Sequence, residues 1–210
     1  ALAPETDGPL AYGLGALAIQ GLSPWLSAAA AARVPFALLL ALTLASTWYA
    51  VYYLARSPQA QPVAFAFGGE ANPKDYAMAM ADAGLLALVA CLGLAQLSHE
   101  ITPMLAQLGF FSLLFFGISV LPFHPLRAWL ALVTGLLGLT LSGAPSLSLG
   151  AGAAMCLACL ADTTLCARTR HALGLLLVLC VLGWIAHHWG LFRWRVLPLH
   201  ADGATWRSLG

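Results

Sequence analysis

The chain alternates long apolar runs with short polar interruptions along almost its whole length. A helix needs about 20 mostly apolar residues to cross a bilayer, and several of these runs reach that length. The runs are Leu10 to Ala32, Phe36 to Leu54, Tyr76 to Leu97, Ile101 to Leu121, Leu126 to Leu141, Leu147 to Ala167 and Ala172 to Phe192. The pattern therefore predicts an all-α integral membrane bundle of about seven transmembrane helices. Six is the alternative, because Pro24 and several glycines interrupt the first run.

The polar intervals between the runs are short, so we expect a single transmembrane domain over residues 1–210. The longest interval, 57–75, contains prolines and the pair Gly68-Gly69, and it predicts a polar loop. Residues 196–210 form a C-terminal tail. Aromatic residues gather at one end of the second run, as in an interfacial aromatic belt: Trp48, Tyr49, Tyr52 and Tyr53.

Composition supports this interpretation and excludes one class of partner. Hydrophobic residues make up 61% of the chain and charged residues 8%, whereas about a quarter of a soluble domain is charged. The net charge of +1 leaves no basic face for nucleic acid, so the expected surroundings are the lipid bilayer and other membrane proteins. The basic residues divide almost evenly between the two predicted sides, which leaves the orientation and the identity of the membrane open: Arg56, Lys74, Arg127, Arg168 and Arg170 against Arg33, Arg193, Arg195 and Arg207.

Small residues recur at four-residue spacing in the sixth run, at Gly150, Ala154 and Ala158. Such spacing allows the backbones of two helices to approach closely. We therefore expect this face to lie against a neighbouring helix.

Two acidic residues fall inside predicted helices, Asp82 in the third and Asp162 in the sixth. A carboxylate at membrane depth costs about 2.5–3.5 kcal/mol or more at a helix centre, so such residues are candidates for function. Both lie at similar depth toward the same side and are candidates for a proton or ion path. The alternative is that each is close enough to the interface to be hydrated or hydrogen-bonded locally.

Histidines offer a second kind of site, because two imidazoles at equal depth can ligate a haem iron. His99, His187 and His188 fall toward one side, and His124 and His171 toward the other. All lie near helix ends, where histidine commonly caps a helix or reaches the interface, and this position argues against haem. The sequence has no zinc signature, phosphate loop or nucleophile motif, so no metal centre or catalytic site is predicted and the balance is against an enzyme.

The polar loop and the start of the third helix carry a family resemblance. Residues 67–73 read Phe-Gly-Gly-Glu-Ala-Asn-Pro, and Tyr76-Ala77 and Ala81-Asp82 follow. This stretch resembles the microbial rhodopsins of the haloarchaeal proton-pump type, in which it joins the second and third helices. The resemblance implies that Asp82 corresponds to the aspartate that pairs with the protonated retinal Schiff base and accepts its proton.

The chain departs from that family at the chemically decisive positions. The family's arginine one turn before the aspartate is absent, since Met78 and Ala79 stand there, and small residues such as Ala83 replace side chains that line retinal. The family binds retinal through a lysine in its seventh helix, whereas the only lysine here, Lys74, lies in the polar loop. We therefore expect no covalent retinal, and the cofactor, if any, is unknown.

Three functions remain open from the sequence. The chain is an opsin-like bundle that lacks the retinal lysine, or a structural or accessory subunit of a larger membrane complex or homo-oligomer, or a small transporter or channel with a path at Asp82 and Asp162.

Overall fold

The computed structural model describes residues 8–62, 72–91, 103–161 and 168–192. Within them the chain forms seven α-helices, a short 3-10 turn at Pro58–Ala60 and no strand. The helices are α1 (Pro9–Leu22), α2 (Ala28–Ala55), α3 (Pro73–Val89), α4 (Pro103–Val120), α5 (Pro125–Leu141), α6 (Pro145–Ala161) and α7 (Arg168–His188). The all-helical prediction is confirmed for these residues.

Proline begins five of the seven helices, namely α1, α3, α4, α5 and α6. The first helical position is favourable for proline because its missing N–H would have no partner within the helix. The turn between α5 and α6 adds a glycine, Gly143, whose φ of 87° lies in the left-handed region. The Ala144 N–H donates to the carbonyl of Leu139 across this turn, at 3.1 Å, and ends α5.

The first three helices differ from the predicted boundaries: α3 begins at Pro73, inside the predicted polar loop 57–75, and ends at Val89 instead of Leu97. The first apolar run is not one helix, because it breaks at Ser23 to Ser27, and α1 has only 14 residues. Helix α2 begins at Ala28 instead of Phe36, and the Ser27 side chain accepts a hydrogen bond from the Ala30 N–H as its N-cap. Pro35 lies inside α2, where the helix continues without the hydrogen bond that proline cannot donate.

Three helices are long and apolar enough to cross a membrane, by length and composition: α2 with 28 residues, α4 with 18 and the 20-residue stretch Thr169–His188 of α7. The apolar helices α1, α5 and α6 are shorter, with 14 to 17 residues. A 17-residue helix is about 26 Å long, slightly less than the roughly 30 Å of bilayer hydrocarbon. The prediction of helices long and apolar enough to cross a membrane is thus confirmed for these three.

The helices pack in a series. Helix α2 packs against α1, α3 and α4, and α4 packs against α5. Helix α5 then packs against α6 and α7, which also pack against each other. The main contacts of α3 among the described residues are with α2, so α3 lies at one end of the series and the α6–α7 pair at the other.

The core is centred on α4 and α5. Its largest fully buried side chains include Leu114, Leu132, Leu136 and Leu139, with Leu175 added from α7. Glycines allow α4 and α5 to approach closely: a Cβ on Gly117 would lie 2.8 Å from Leu132 Cγ. A second cluster joins α1, α2 and α4 through Ala11, Phe36, Leu39, Leu105 and Ala106.

The predicted packing face of α6 is wrong for contacts among the described helices. Gly150, Ala154 and Ala158 are all exposed, and a Cβ on Gly150 would meet no atom within 4 Å. The packed face contains Gly152, which lies against Leu179 of α7, and Ser148, whose hydroxyl donates to the Leu136 carbonyl of α5 at 2.9 Å. Small residues occupy both faces of α6, so their spacing does not identify the face that contacts a neighbour.

Candidate functional site

Asp82 lies on the exposed part of α3. The helix begins with Asn72 as N-cap, whose side chain accepts a hydrogen bond from the Lys74 N–H at 3.0 Å. Ala77 and Ala81 are fully buried. Together with the contact between α3 and α2, they show that small side chains form the packed face of α3 and leave Asp82 beside it.

A tryptophan of α2 holds one oxygen of the carboxylate. Trp48 Nε1–H donates to Asp82 Oδ1 at 2.8 Å. Within the described part of the chain, the other oxygen has no hydrogen-bond partner. The arrangement therefore fixes the position of the carboxylate and leaves its second oxygen able to accept a further hydrogen bond.

The tryptophan belongs to a row of side chains spaced four residues apart on α2. The rings of Trp48 and Tyr52 are stacked, with centroids 5.4 Å apart and planes at 7°. Arg56 Cζ lies 5.6 Å from the centroid of Tyr52, a cation–π contact. An acidic group and a basic group thus lie at opposite ends of an aromatic pair.

The aromatic contacts continue from α2 toward α4 and α5. Tyr53 lies 6.3 Å from Phe116, 5.3 Å from Phe123 and 6.0 Å from His124, measured between ring centroids. Arg56 Cζ also lies 5.7 Å from the Phe123 centroid. These rings form a layer at the end of the bundle where α2 and α4 end and α5 begins.

The same end holds a polar contact between α5 and α7. Trp129 Nε1–H donates to His171 Nδ1 at 3.1 Å. Neither this pair nor the bond between Trp48 and Asp82 is predicted from the sequence. Depth gives a partial signal for both pairs, because a tryptophan N–H and an acceptor lie at similar distances from the same end of the bundle, but depth does not give the rotation of each helix.

The remaining predicted site residues are placed only in part. Asp162 and His99 lie outside the described residues, so the shared path of Asp82 and Asp162 stays a prediction. His187 and His188 lie in the last turn of α7, where His188 stacks on Trp184 with centroids 5.5 Å apart. His124 and His171, at the starts of α5 and α7, lie at the other end, as predicted. The described residues contain no group of three or more His, Cys, Asp or Glu side chains that could hold a metal ion.

The outer face of α3 consists of Ala79, Asp82, Ala83, Leu86 and Ala87, which are all exposed. Their spacing of three and four residues places them along one side of the helix. Leu86 is 69% exposed. This face presents one carboxylate among small and apolar side chains.

Helices α3 and α7 do not share a substantial interface among the described residues, since α3 packs mainly on α2 and α7 on α6 and α5. Lys74 is the second residue of α3 and is exposed. The resemblance to microbial rhodopsins implies an aspartate that faces the seventh helix, and the described helices do not bring these two elements together.

Comparisons with models of protein families, with curated proteins and with solved structures give no match to this chain.

Proposed function

We propose that this chain is a multi-pass integral membrane protein and that it serves as a structural or accessory subunit of a larger membrane complex. In this proposal the outer face of α3 contacts the neighbouring subunit. The observation that carries it is Asp82, an exposed carboxylate on an end helix with one oxygen unpaired inside the described chain.

The position of Asp82 along α3 makes the exposure costly in lipid. Asp82 is the tenth residue of α3, so it lies about 14 Å along the helix from Pro73. Lys74 and Asp75 precede the apolar part of the helix, so Asp82 lies six residues, about 9 Å, beyond its first apolar residue, Tyr76, and within the roughly 30 Å of hydrocarbon. Charged residues at such depth almost always face a protein interior, a water-filled cavity or a partner group. A neighbouring protein on this face supplies that environment.

Charge complementarity favours a different chain over a second copy as the neighbour. A two-fold contact through α3 would bring two copies of Asp82 toward each other, and like charges repel. A partner helix with an arginine, lysine or histidine at this depth would instead donate to the unpaired oxygen. Ala79, Ala83 and Ala87 are small enough to let that helix approach closely.

Two other functions receive less support. A channel through the centre of the bundle is disfavoured because Leu114, Leu132 and Leu136 fill the space between α4 and α5. Glycines also let these two helices approach closely. An opsin-like pocket needs α3 and α7 around one ligand, and these helices pack on different neighbours.

The test is to extract the protein in mild detergent with a photo-crosslinking residue at Ala83. The matched control carries the crosslinker at Leu177, an exposed residue ten positions into α7. We expect a stoichiometric complex in which the Ala83 crosslink joins one defined partner, while the Leu177 crosslink does not. Replacement of Asp82 by leucine should abolish the complex and leave the chain folded. A monomer that crosslinks from neither position would contradict the proposal, and a crosslink to a second copy would replace the partner by a homo-oligomer.

A further inference from the structure

The contact between Trp129 and His171 joins α5 to α7 close to the start of each helix. Trp129 is the fifth residue of α5 and His171 the fourth of α7. Besides the 3.1 Å hydrogen bond, the indole lies over Gly174, where a Cβ would be 2.6 Å from Trp129 Cη2. The side chain therefore covers one turn of α7 from His171 to Gly174.

The direction of this hydrogen bond fixes the protonation state of the histidine. The indole N–H can only donate, so His171 Nδ1 must carry a lone pair. The imidazole is then neutral, with its proton on Nε2. A protonated imidazole has an N–H at both nitrogens and can no longer accept from Trp129.

The charged and titratable groups near His171 come from three helices. Arg170 precedes it on α7, and α5 contributes Arg127 and the titratable His124. Helix α6, which also packs against α7, contributes the titratable groups Cys156 and Cys159 among its described residues. Residues 162–167 and the side chain of Arg168 lie outside the described part.

We propose that Trp129 and His171 form a proton-operated latch between α5 and α7. The latch is closed when the imidazole is neutral and opens when it is protonated. Histidine side chains change charge between about pH 5 and 8, so the contact holds at the upper end of this range and is lost as the pH falls. Leu175 and Leu182 keep α7 in the core, which confines the opening to the start of the helix.

The test uses the full chain in detergent micelles with ¹⁵N-labelled tryptophan indoles, which give one signal for each of the seven tryptophans. Replacement of Trp129 by phenylalanine assigns its signal. We expect that signal to move between pH 8 and pH 5 in the natural sequence. In His171→Gln it should stay fixed, because the glutamine carbonyl accepts the same hydrogen bond and does not titrate. His124→Gln, a histidine at the same end, should leave the shift unchanged.

An indole signal that does not move with pH, or that moves equally in His171→Gln, would overturn the latch. If His171→Gln fails to fold, the ¹⁵N signals of the His171 ring in the natural sequence give the answer. At pH 8 the proton should be on Nε2, and a proton on Nδ1 would exclude the contact.

Discussion

Small residues lie in the α4–α5 interface and also on the outer face of α6, and the two sets differ in what they contact. In the α4–α5 interface, Gly135 lies so close to the partner helix that a Cβ would be 2.7 Å from Leu114 Cδ2 and 3.0 Å from the Phe110 carbonyl. On the outer face of α6, Gly150, Ala154 and Ala158 are exposed, and a Cβ on Gly150 would meet no described atom within 4 Å. Small residues permit close approach, but the large side chains opposite them decide whether an approach occurs.

The outer face of α3 adds a third case. It also carries small residues at four-residue spacing, yet Asp82 lies among them. In the proposed membrane arrangement, the outer face of α6 can rest against lipid without placing a charge there, whereas the outer face of α3 would place Asp82 in lipid. We therefore expect a protein neighbour at α3 and lipid at α6.

The largest effect should come from adding one methyl group at the two contrasting glycines. Gly135→Ala places its Cβ against a buried leucine and a backbone carbonyl, and overpacking costs about 1–3 kcal/mol. Gly150→Ala meets no neighbour and gains up to about 1 kcal/mol of helix propensity. Unfolding in mixed micelles, followed by far-UV circular dichroism, should show the two variants moving in opposite directions. Equal changes in stability for the two variants would mean that α4 and α5 do not approach closely at Gly135.

A second test separates the outer faces of α3 and α6 with the same substitution. Ala83→Leu should weaken the complex about tenfold, which corresponds to about 1.4 kcal/mol, because the larger side chain holds the partner helix away. Ala154→Leu should leave the complex intact. The fraction of partner retained after dilution in detergent measures both effects. A loss at Ala154 alone would move the interface from α3 to α6.

Helix positions are largely predictable from this sequence, since proline and polar residues separate the apolar runs. Helix α5 is predicted from Leu126 to Leu141 and runs Pro125–Leu141. The start of α2 is not predicted, because Arg33 and Pro35 are typical of a helix boundary and yet lie inside this helix. A long helix tolerates one proline when the rest of its backbone hydrogen bonds persist.

Single residues of the candidate site are predictable from the sequence, but the contacts between them are not. Asp82 is identified from its charge within an apolar run, but its partner Trp48 is not, because the pairing depends on how α3 rotates against α2. Buried Ala77 and Ala81 set that rotation, and both faces of α3 contain alanine. Alternation of apolar and polar residues is too weak in such helices to specify which side faces a neighbour.

A smaller effect should come from the hydrogen bond between Trp48 and the Asp82 carboxylate on α3. Trp48→Phe removes the indole donor, and Asp82→Ala removes the acceptor. A double-mutant cycle of unfolding free energies should give a coupling of about 0.5–1 kcal/mol, below the roughly 1.5–3 kcal/mol of a buried hydrogen bond to a charged group because Asp82 is exposed. Trp184→Phe, at an exposed tryptophan stacked on His188, serves as the control and should show no coupling to Asp82. A coupling of zero would mean that Trp48 does not hold Asp82 in place. It would weaken the case for the outer face of α3 as a binding surface.

The last prediction is that no retinal pigment forms. It tests whether α3 and the α6–α7 pair, which lie at opposite ends of the series of helices, can close around a ligand. A protonated Schiff base requires a lysine amine near a carboxylate in a poorly solvated site. Lys74 lies eight residues before Asp82 on the same helix, about 12 Å along its axis, and is exposed at the helix start. Moving its amine into the bundle would draw the first turn of α3, including Asp75, into lipid at a cost of several kcal/mol. All-trans retinal added to the purified protein should therefore show only the absorption of free retinal. A visible band that shifts with pH and disappears in Lys74→Ala would require α3 to leave its place beside α2, and would restore the pocket that the rhodopsin resemblance implies.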